Sequence, residues 1–167
     1  MLGDNVKLKE RMLEMYWKAK GKVQGDLKNG CDIKGYESFS RVYGVSWGIH
    51  GPVDQQTGQR TGKRQLEPLV ITKPVDKSTP SLLQAMINNE VIDSSEFTFL
   101  DVPGVATAAQ KMVRILTVKT TNGAIAKIEA GSTPEGQMLE KIYLYFDKII
   151  WRHEIATTEA MDERIDV

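Results

Sequence analysis

The sequence of 167 residues has few of the side chains that bind metals or form covalent cross-links. Its one cysteine, Cys31, excludes an internal disulfide and a cysteine-based zinc cluster. The run His153-Glu154-Ile155-Ala156-Thr157 places Thr157 where the zinc-protease motif H-E-x-x-H needs its second histidine. A histidine site would require His50 and His153 to meet in space. The sequence therefore predicts no metal and no cofactor.

An excess of charge and any long apolar run are also absent. With 22 basic and 22 acidic side chains, the chain has no bulk field that attracts nucleic acid or anionic lipid. No stretch reaches the roughly 18 apolar residues that a membrane-spanning helix needs. Residues 1–11 mix both charges and lack the apolar stretch of a signal peptide. We expect a cytosolic start without membrane insertion, and any export would use another route.

The length of the chain suits a single domain. A domain of about 150 residues buries about 70% of the surface that its unfolded chain exposes, which is enough for a sizeable core. We place this domain at residues 13–155. Residues 1–12 form an N-terminal extension whose structure the sequence leaves open. Residues 156–167 form a polar C-terminal tail that is frayed or docked on another surface.

The hydrophobic pattern predicts mostly β-strands. In residues 13–23, apolar side chains such as Trp17 alternate with Tyr16 and Lys18, which predicts a half-buried strand with a basic outer face. Asn122-Gly123 has the composition of a tight hairpin turn. Turn signals and β-branched residues predict further strands at residues 38–49, 66–72, 96–102, 111–120, 124–130, 139–146 and 148–154.

One short helix is predicted between these strands. Ser78 or Thr79 provides its cap, and Pro80 suits the first turn, where a missing N–H costs nothing. The helical spacing of four apolar side chains predicts one buried face, formed by Leu82, Leu83, Met86 and Ile87. With about seven strands and no alternation of strand and helix, we predict a mainly β fold: a closed antiparallel β-barrel or sandwich with one short flanking α-helix.

A possible catalytic motif lies at the second predicted strand. Gly44-Val45-Ser46-Trp47-Gly48 satisfies the hydrolase motif G-x-S-x-G, and Asp101 and His153 follow in the order of an acid and a base. The motif works when a strand turns sharply into a helix, whose N–H groups then stabilise an oxyanion. Here Ile49-His50-Gly51-Pro52 follows and resists starting a helix. We favour a serine on a strand and keep a serine hydrolase using Ser46 as the alternative.

A second motif, Gly58-Gln59-Arg60-Thr61-Gly62-Lys63-Arg64, resembles a phosphate-binding loop but departs from it. Three residues rather than four separate the glycines, and Arg64 stands where a serine or threonine should hold magnesium. A strand rather than a helix follows, so the converging N–H groups that bind phosphate are not expected. The motif predicts a solvated hairpin tip.

Residues 52–65 form a long polar loop with almost no apolar side chain. Such a segment cannot bury itself, yet unstructured loops beyond about 12 residues are uncommon in compact domains and tend to be functional or disordered. Two interpretations stay open: a solvated loop, or an arm that lies across a neighbouring subunit. The second assigns to an oligomer interface the side chains of Asp54, Gln55, Gln56, Thr57, Gln59, Arg60, Lys63 and Arg64. No residue is assigned a catalytic role.

Several runs, taken together, resemble one protein family. The first are Val45-Ser46-Trp47-Gly48, Thr57-Gly58 and Thr61-Gly62-Lys63. They are followed by Ile71-Thr72-Lys73-Pro74-Val75-Asp76-Lys77-Ser78-Thr79-Pro80-Ser81-Leu82 and by Glu140-Lys141-Ile142-Tyr143-Leu144-Tyr145-Phe146-Asp147-Lys148-Ile149-Ile150-Trp151. Over residues 15–154 the chain resembles the Hcp (haemolysin-coregulated protein) family, the tube subunits of bacterial type VI secretion systems.

The resemblance implies a structural protein rather than an enzyme. Members of this family form a β-barrel with a flanking helix, assemble into hexameric rings and stack these rings head to tail into a hollow tube. A contractile sheath drives the tube and its spike protein out of the cell, and small effectors travel in the lumen. The resemblance implies that residues 52–65 contact neighbouring protomers. It also implies export from the bacterial cytoplasm through the secretion machine, without a signal peptide.

Two segments depart from the family pattern. Residues 1–12 exceed the usual short start and residues 101–110 are unlike the family pattern, so ring stacking and the lumen lining stay undefined.

Independently of the resemblance, a barrel without net charge or a credible catalytic group favours assembly with copies of the same chain, because contacts related by rotation close into rings. A monomeric ligand-binding β-barrel is the remaining interpretation.

Overall fold

The computed structural model describes residues 13–27, 31, 33–101 and 113–164. The extension predicted for residues 1–12 and most of the unfamiliar segment 101–110 lie outside the described residues. The elements, in chain order, are β1 Leu13–Gly21, β2 Gly25–Asp26, β3 Ser40–Val42, β4 Gly44–Ser46, β5 Ile49–His50, β6 Gln65–Leu66, β7 Leu69–Pro74, α1 Thr79–Ile87, β8 Ile92–Asp101, β9 Val113–Ser132, β10 Met138–His153 and β11 Thr158–Glu163.

The strands form a nine-stranded antiparallel sheet and a separate two-stranded sheet of β5 and β6. The large sheet has the order β2-β1-β8-β9-β10-β7-β4, with β3 on β1 and β11 on β10. The predicted mainly β, antiparallel class with one short helix is confirmed. In the described part of the chain the ladders do not close into a barrel. Instead β3 pairs with β1 and β4 pairs with β7, on either side of Tyr43.

The main core lies on one face of the large sheet. Alternation in β1 directs Trp17 into this core, where its ring stacks on that of Phe97 with 5.7 Å between centroids. The strand predicted here is confirmed, and Lys18 and Lys20 are exposed on its other face. The core continues across the sheet through Val118, Ile142, Leu144 and Ile149.

The outer face of β1 is partly covered, which the sequence pattern did not predict. Tyr16 is fully buried, so its expected exposure is wrong. The segment after β2 folds back over it: the ring of Tyr36 stacks on Tyr16 with 5.2 Å between centroids and meets Phe39 edge-on at 5.1 Å. With Leu100 these side chains form a second small cluster. Alternation separates the two faces of a strand but does not reveal which loop covers the outer one.

β9 and β10 are continuous strands of 20 and 16 residues. The hairpin predicted at Asn122-Gly123 and the break predicted between residues 146 and 148 are therefore wrong. Asn122 adopts a φ of 53° within β9, and its side-chain amide donates to the carboxylate of Asp147. A Cβ on Gly123 would lie 2.5 Å from the backbone oxygen of Tyr145. β9 pairs with β10 on both sides of Asn122-Gly123. These two residues therefore form no turn, and the glycine allows the two strands to approach closely.

The strand predicted at residues 38–49 is divided into three. β3 pairs with β1, β4 pairs with β7, and β5 joins the small sheet. At the change of partner, the N–H of Tyr43 donates to the carbonyl of Thr72 at 2.8 Å. The next predicted strand, 66–72, is likewise split into β6 and β7 by Pro68, which has no N–H for a ladder.

The helix α1 has the predicted position but a different buried face. Ser78 is the N-cap residue, yet its hydroxyl donates to Asp76 Oδ1 at 2.6 Å instead of capping the helix. The buried side chains are Leu82 and Ala85, whereas Ile87 is 76% exposed. Leu83 and Met86 are also exposed, because the stripe through residues 82 and 85 faces the sheet. No described helix has the length and apolar character to cross a membrane.

The C-terminal segment is described as far as residue 164. Residues Thr158–Glu163 form β11, which pairs with the second half of β10, from Lys148 to His153. Of the two outcomes expected for this tail, the structure shows the docked one for the described residues. Its surface of attachment is the edge of the large sheet beside β7.

Candidate assembly surface

We call residues 48–67 the arm, because they leave the large sheet after β4 and return to it before β7. At its root, Ile49 pairs with Leu66 and His50 with Gln65. The N–H of Glu67 donates to the carbonyl of Gly48 at 2.9 Å and closes the root. Leu66 packs against the main core. The polar loop predicted at residues 52–65 is therefore the outer part of a hairpin.

The tip of the arm is held by its own hydrogen bonds. Val53 and Arg60 form a β-bridge, and the N–H of Asp54 donates to the carbonyl of Gln59 at 2.8 Å. The carboxylate Oδ1 of Asp54 accepts the N–H of Gln56 at 2.7 Å, a local bond typical of turns. Gly58, at a φ of 70°, supplies the left-handed conformation that closes the turn. The arm thus presents a defined surface.

Most side chains of the predicted interface lie together on this arm. Gln55, Gln56, Thr57, Gln59, Arg60 and Lys63 are exposed, and Asp54 is half-buried by its own turn. The guanidinium of Arg60 lies over Gly51, where an added Cβ would be 2.5 Å from Nη2. The structure therefore brings these residues to one projecting hairpin.

Arg64 has a different environment from the rest of the predicted set. Its Nε donates to Asp162 Oδ2 at 2.7 Å and its Nη2 donates to Oδ1 at 2.5 Å, so the pair is bidentate. Asp162 lies on β11 and is only 7% exposed. The hydrogen bond from Arg64 lowers the pKa of Asp162, and the same bond raises the pKa of Arg64. Arg64 is thus engaged within its own chain.

Apolar side chains accompany the arm, and sequence reasoning did not assign them to a surface. Trp47, Ile49 and Val53 are 38%, 48% and 50% exposed. The ring of Trp47 also contacts Phe99 of the large sheet, edge-on at 5.9 Å between centroids. Ile49 belongs to a two-residue strand, which is too short to show the alternation of apolar and polar residues that would predict its exposure. Exposed apolar side chains therefore extend from Trp47, just before the arm, to Val53, beside the polar side chains of its tip.

The alternative motifs do not form their sites. Ser46 is exposed on β4, and the chain continues through Trp47-Gly48 into β5 rather than into a helix, so the hydrolase elbow is absent from this described segment. His153 Nδ1 accepts the N–H of Ala156 at 3.1 Å. The glycines of the phosphate-loop motif lie in the arm, before β6. Among the described residues, no group of three His, Cys, Asp or Glu side chains is placed to hold a metal.

Comparisons with known proteins agree with this fold. The family model described as "Type VI secretion system effector, Hcp" matches residues 16–153. The "Major exported protein" of Pseudomonas aeruginosa is 27% identical over 133 residues, which cover 78% of this chain and 77% of that protein.

Solved structures are similar over nearly the whole chain. A crystal structure of an Hcp protein has a TM-score of 0.83 at 24% identity and covers 93% of this chain and all of its own. Hcp1 of E. coli EAEC 042 has a TM-score of 0.81 at 24% identity, covering 91% and 99%. The resemblance inferred from the sequence is confirmed, and with it the prediction of a secreted structural protein rather than an enzyme. This chain belongs to the Hcp family of type VI secretion tube proteins.

Proposed function

We propose that this chain is the structural tube subunit of a bacterial type VI secretion system, which assembles into hexameric rings that stack into a hollow tube. The observation that supports the proposal is the arm, a hairpin whose tip is ordered by its own backbone bonds and whose side chains face outwards. Such a hairpin adds little to the core of its own subunit. Its ordered, exposed surface is suited to contact with a neighbouring subunit.

The composition of the arm fits a subunit interface. Protein interfaces combine an apolar centre, enriched in aromatic residues, with a polar rim that forms hydrogen bonds. Trp47, Ile49 and Val53 supply the apolar part, and the amides and charges from Asp54 to Lys63 supply the polar part. We assign contacts with the neighbouring protomer to Asp54, Gln55, Gln56, Thr57, Gln59, Arg60 and Lys63, and a supporting role at the base to Arg64.

We further propose that the sheet acts as a closed barrel in the assembled subunit. The segment β3-Tyr43-β4 lies between the two sides of the sheet that a barrel must join, since β3 pairs with β1 and β4 with β7. This bent segment would form the seam. The tube-forming domain then comprises residues 13–155, with β11 attached to its surface.

The proposal includes a route and partners. The chain leaves the bacterial cytoplasm as part of a tube that the sheath propels together with the spike protein, and small effectors travel in the lumen. Family membership and the likeness to an exported protein of Pseudomonas aeruginosa support secretion. The arrangement needs neither nucleic acid nor membrane insertion of this subunit.

Electron microscopy of the purified protein tests the proposal directly. We expect rings with a central hole, and light scattering should give about six times the mass of the monomer. A stable monomer at high micromolar concentration would contradict the assembly.

A further inference from the structure

Backbone pairing alone does not fix the orientation of the arm. Its root has two ladder pairs, and these belong to the small sheet, which shares no described ladder with the large one. The connections to β4 and β7 are short: Trp47-Gly48 on one side and Glu67-Pro68 on the other. Side-chain contacts must therefore determine how the arm is set against the large sheet. The bond between Arg64 and Asp162 joins residues 98 positions apart and spans this junction.

The buried carboxylate of Asp162 needs the cation of Arg64. It pairs with Ile149, and both lie on the buried side of their strands. Its Oδ1 accepts the N–H of Glu163 at 2.8 Å as well as the bond from Arg64. A buried carboxylate needs compensation by a cation or by hydrogen bonds, because water cannot solvate it. Arg64 supplies both through a planar, bidentate contact that also fixes direction.

The strand that carries Asp162 is itself weakly attached. β11 pairs with β10 alone and has no described partner on its other edge. Five of its six residues are exposed, and Asp162 alone is buried. The ion pair therefore gives β11 a second attachment, just as it gives the arm one. A contact that stabilises two weakly held elements couples them, and such coupling is reciprocal.

We propose that Arg64 and Asp162 form a latch that holds the arm in one orientation and makes this orientation depend on the docking of β11. The latch presents the interface residues of the arm in a fixed position before a neighbouring subunit arrives. Its consequence for assembly rests on the proposed function of the arm. The latch itself is a property of the single chain.

Distance measurements between two spin labels test the latch. One label at Gln56→Cys marks the arm and one at Lys141→Cys marks the exposed face of β10, in a chain with Cys31→Ser. Labelled chain is diluted into excess unlabelled chain so that only distances within one chain are read, at a concentration low enough for the monomer, because a neighbouring subunit would also hold the arm. Arg64→Gln and Asp162→Asn should each broaden the distance distribution at least twofold. The double variant should broaden it no further, because both changes break one pair.

Two controls separate the latch from general loosening. Arg164→Gln removes an equal charge from the same groove, which also contains Arg64 and Asp162, and should keep the distribution narrow. Deleting residues 158–167 should broaden it as Arg64→Gln does. Unchanged narrow distributions in Arg64→Gln and Asp162→Asn would overturn the proposal. Light scattering at high micromolar concentration tests assembly separately: a parent chain that stays monomeric there contradicts the tube function but not the latch.

Discussion

Lys73 Nζ lies 2.5 Å from Glu140 Oε1, and both side chains are fully buried. Lys73 also pairs with Asp76 at 2.9 Å, and Thr79 Oγ1 donates to the same oxygen of Glu140 at 2.9 Å. These bonds join the end of β7 and the start of α1 to β10. The Ile71-to-Leu82 run that resembles the Hcp family therefore includes a buried polar network that positions the helix.

Removing the Lys73 cation from this network should lower the free energy of unfolding. Lys73→Met leaves the Glu140 carboxylate buried without its counter-charge, and losing one partner of a buried pair costs about 3–5 kcal/mol. We expect this loss in the free energy of unfolding, measured by urea denaturation. Lys73→Met combined with Glu140→Met should recover most of it, since an apolar pair of similar size needs no compensation. Equal stability of Lys73→Met and the parent chain would show that the network contributes nothing.

The close approach of β9 and β10 predicts a glycine requirement. Gly123→Ala places a Cβ 2.5 Å from the backbone oxygen of Tyr145, which cannot move aside without shifting β10. We expect a loss of about 1–3 kcal/mol, as for other overpacked sites. Gly131→Ala lies on the same strand with nothing within 4 Å of the new Cβ and is the matched control. If both variants unfold at the same urea concentration as the parent, the strands are less tightly apposed.

Much of this fold followed from the sequence, and the errors have common physical causes. Alternation located β1 correctly, and Pro80 located α1. However, Asn122-Gly123 is read as a turn because local composition cannot show that β10 pairs on both sides of it. The exposure expected for Tyr16 and the burial expected for Ile87 are wrong for a similar reason: burial depends on which other segment covers a side chain. Arg64 lies on the arm, but its bond to Asp162 could not be predicted, since the two residues are 98 positions apart in the sequence.

Two adjacent leucines of α1 differ in burial and should differ in their contribution to stability. Leu82 is 1% exposed and Leu83 is 42% exposed. Leu82→Ala should cost about 2–5 kcal/mol, because it removes buried apolar volume from the core. Leu83→Ala should stay within about 0.5 kcal/mol, as exposed substitutions usually do. Thermal and urea unfolding of the two variants check this, and large losses of similar size in both would favour the face predicted from the sequence, on which both side chains are buried.

Glu90 predicts a pH dependence of stability. Burial on its own raises the pKa of Glu90, but hydrogen bonds from the backbone and side chain of Gln24 and the N–H of Val23 outweigh it, so the pKa is lowered. A lowered folded-state pKa contributes stability that is present above the unfolded pKa of about 4.3 and is lost as pH falls through the folded value. In Glu90→Gln this contribution is absent at every pH.

We therefore expect the difference in unfolding free energy between the parent chain and Glu90→Gln to be constant above about pH 5 and to shrink below about pH 4. Urea denaturation at several pH values measures it. The opposite trend, a difference that grows on acidification, would mean that Glu90 binds its proton more tightly in the folded state.

Shortening the arm separates its role in assembly from the stability of the subunit. The N–H of Asp54 and the carbonyl of Gln59 are 2.8 Å apart, and Val53 pairs with Arg60. Residues 54–59 can therefore be replaced by Asn-Gly, a favoured two-residue hairpin turn. Because the arm tip adds little to the core, the β-rich circular dichroism spectrum should be unchanged, while light scattering should show a lower oligomer mass. Replacing Pro134-Glu135 by Asn-Gly, in a turn to which no contact is assigned, is the control. A full-size oligomer with the shortened arm would show that the ring closes through other surfaces.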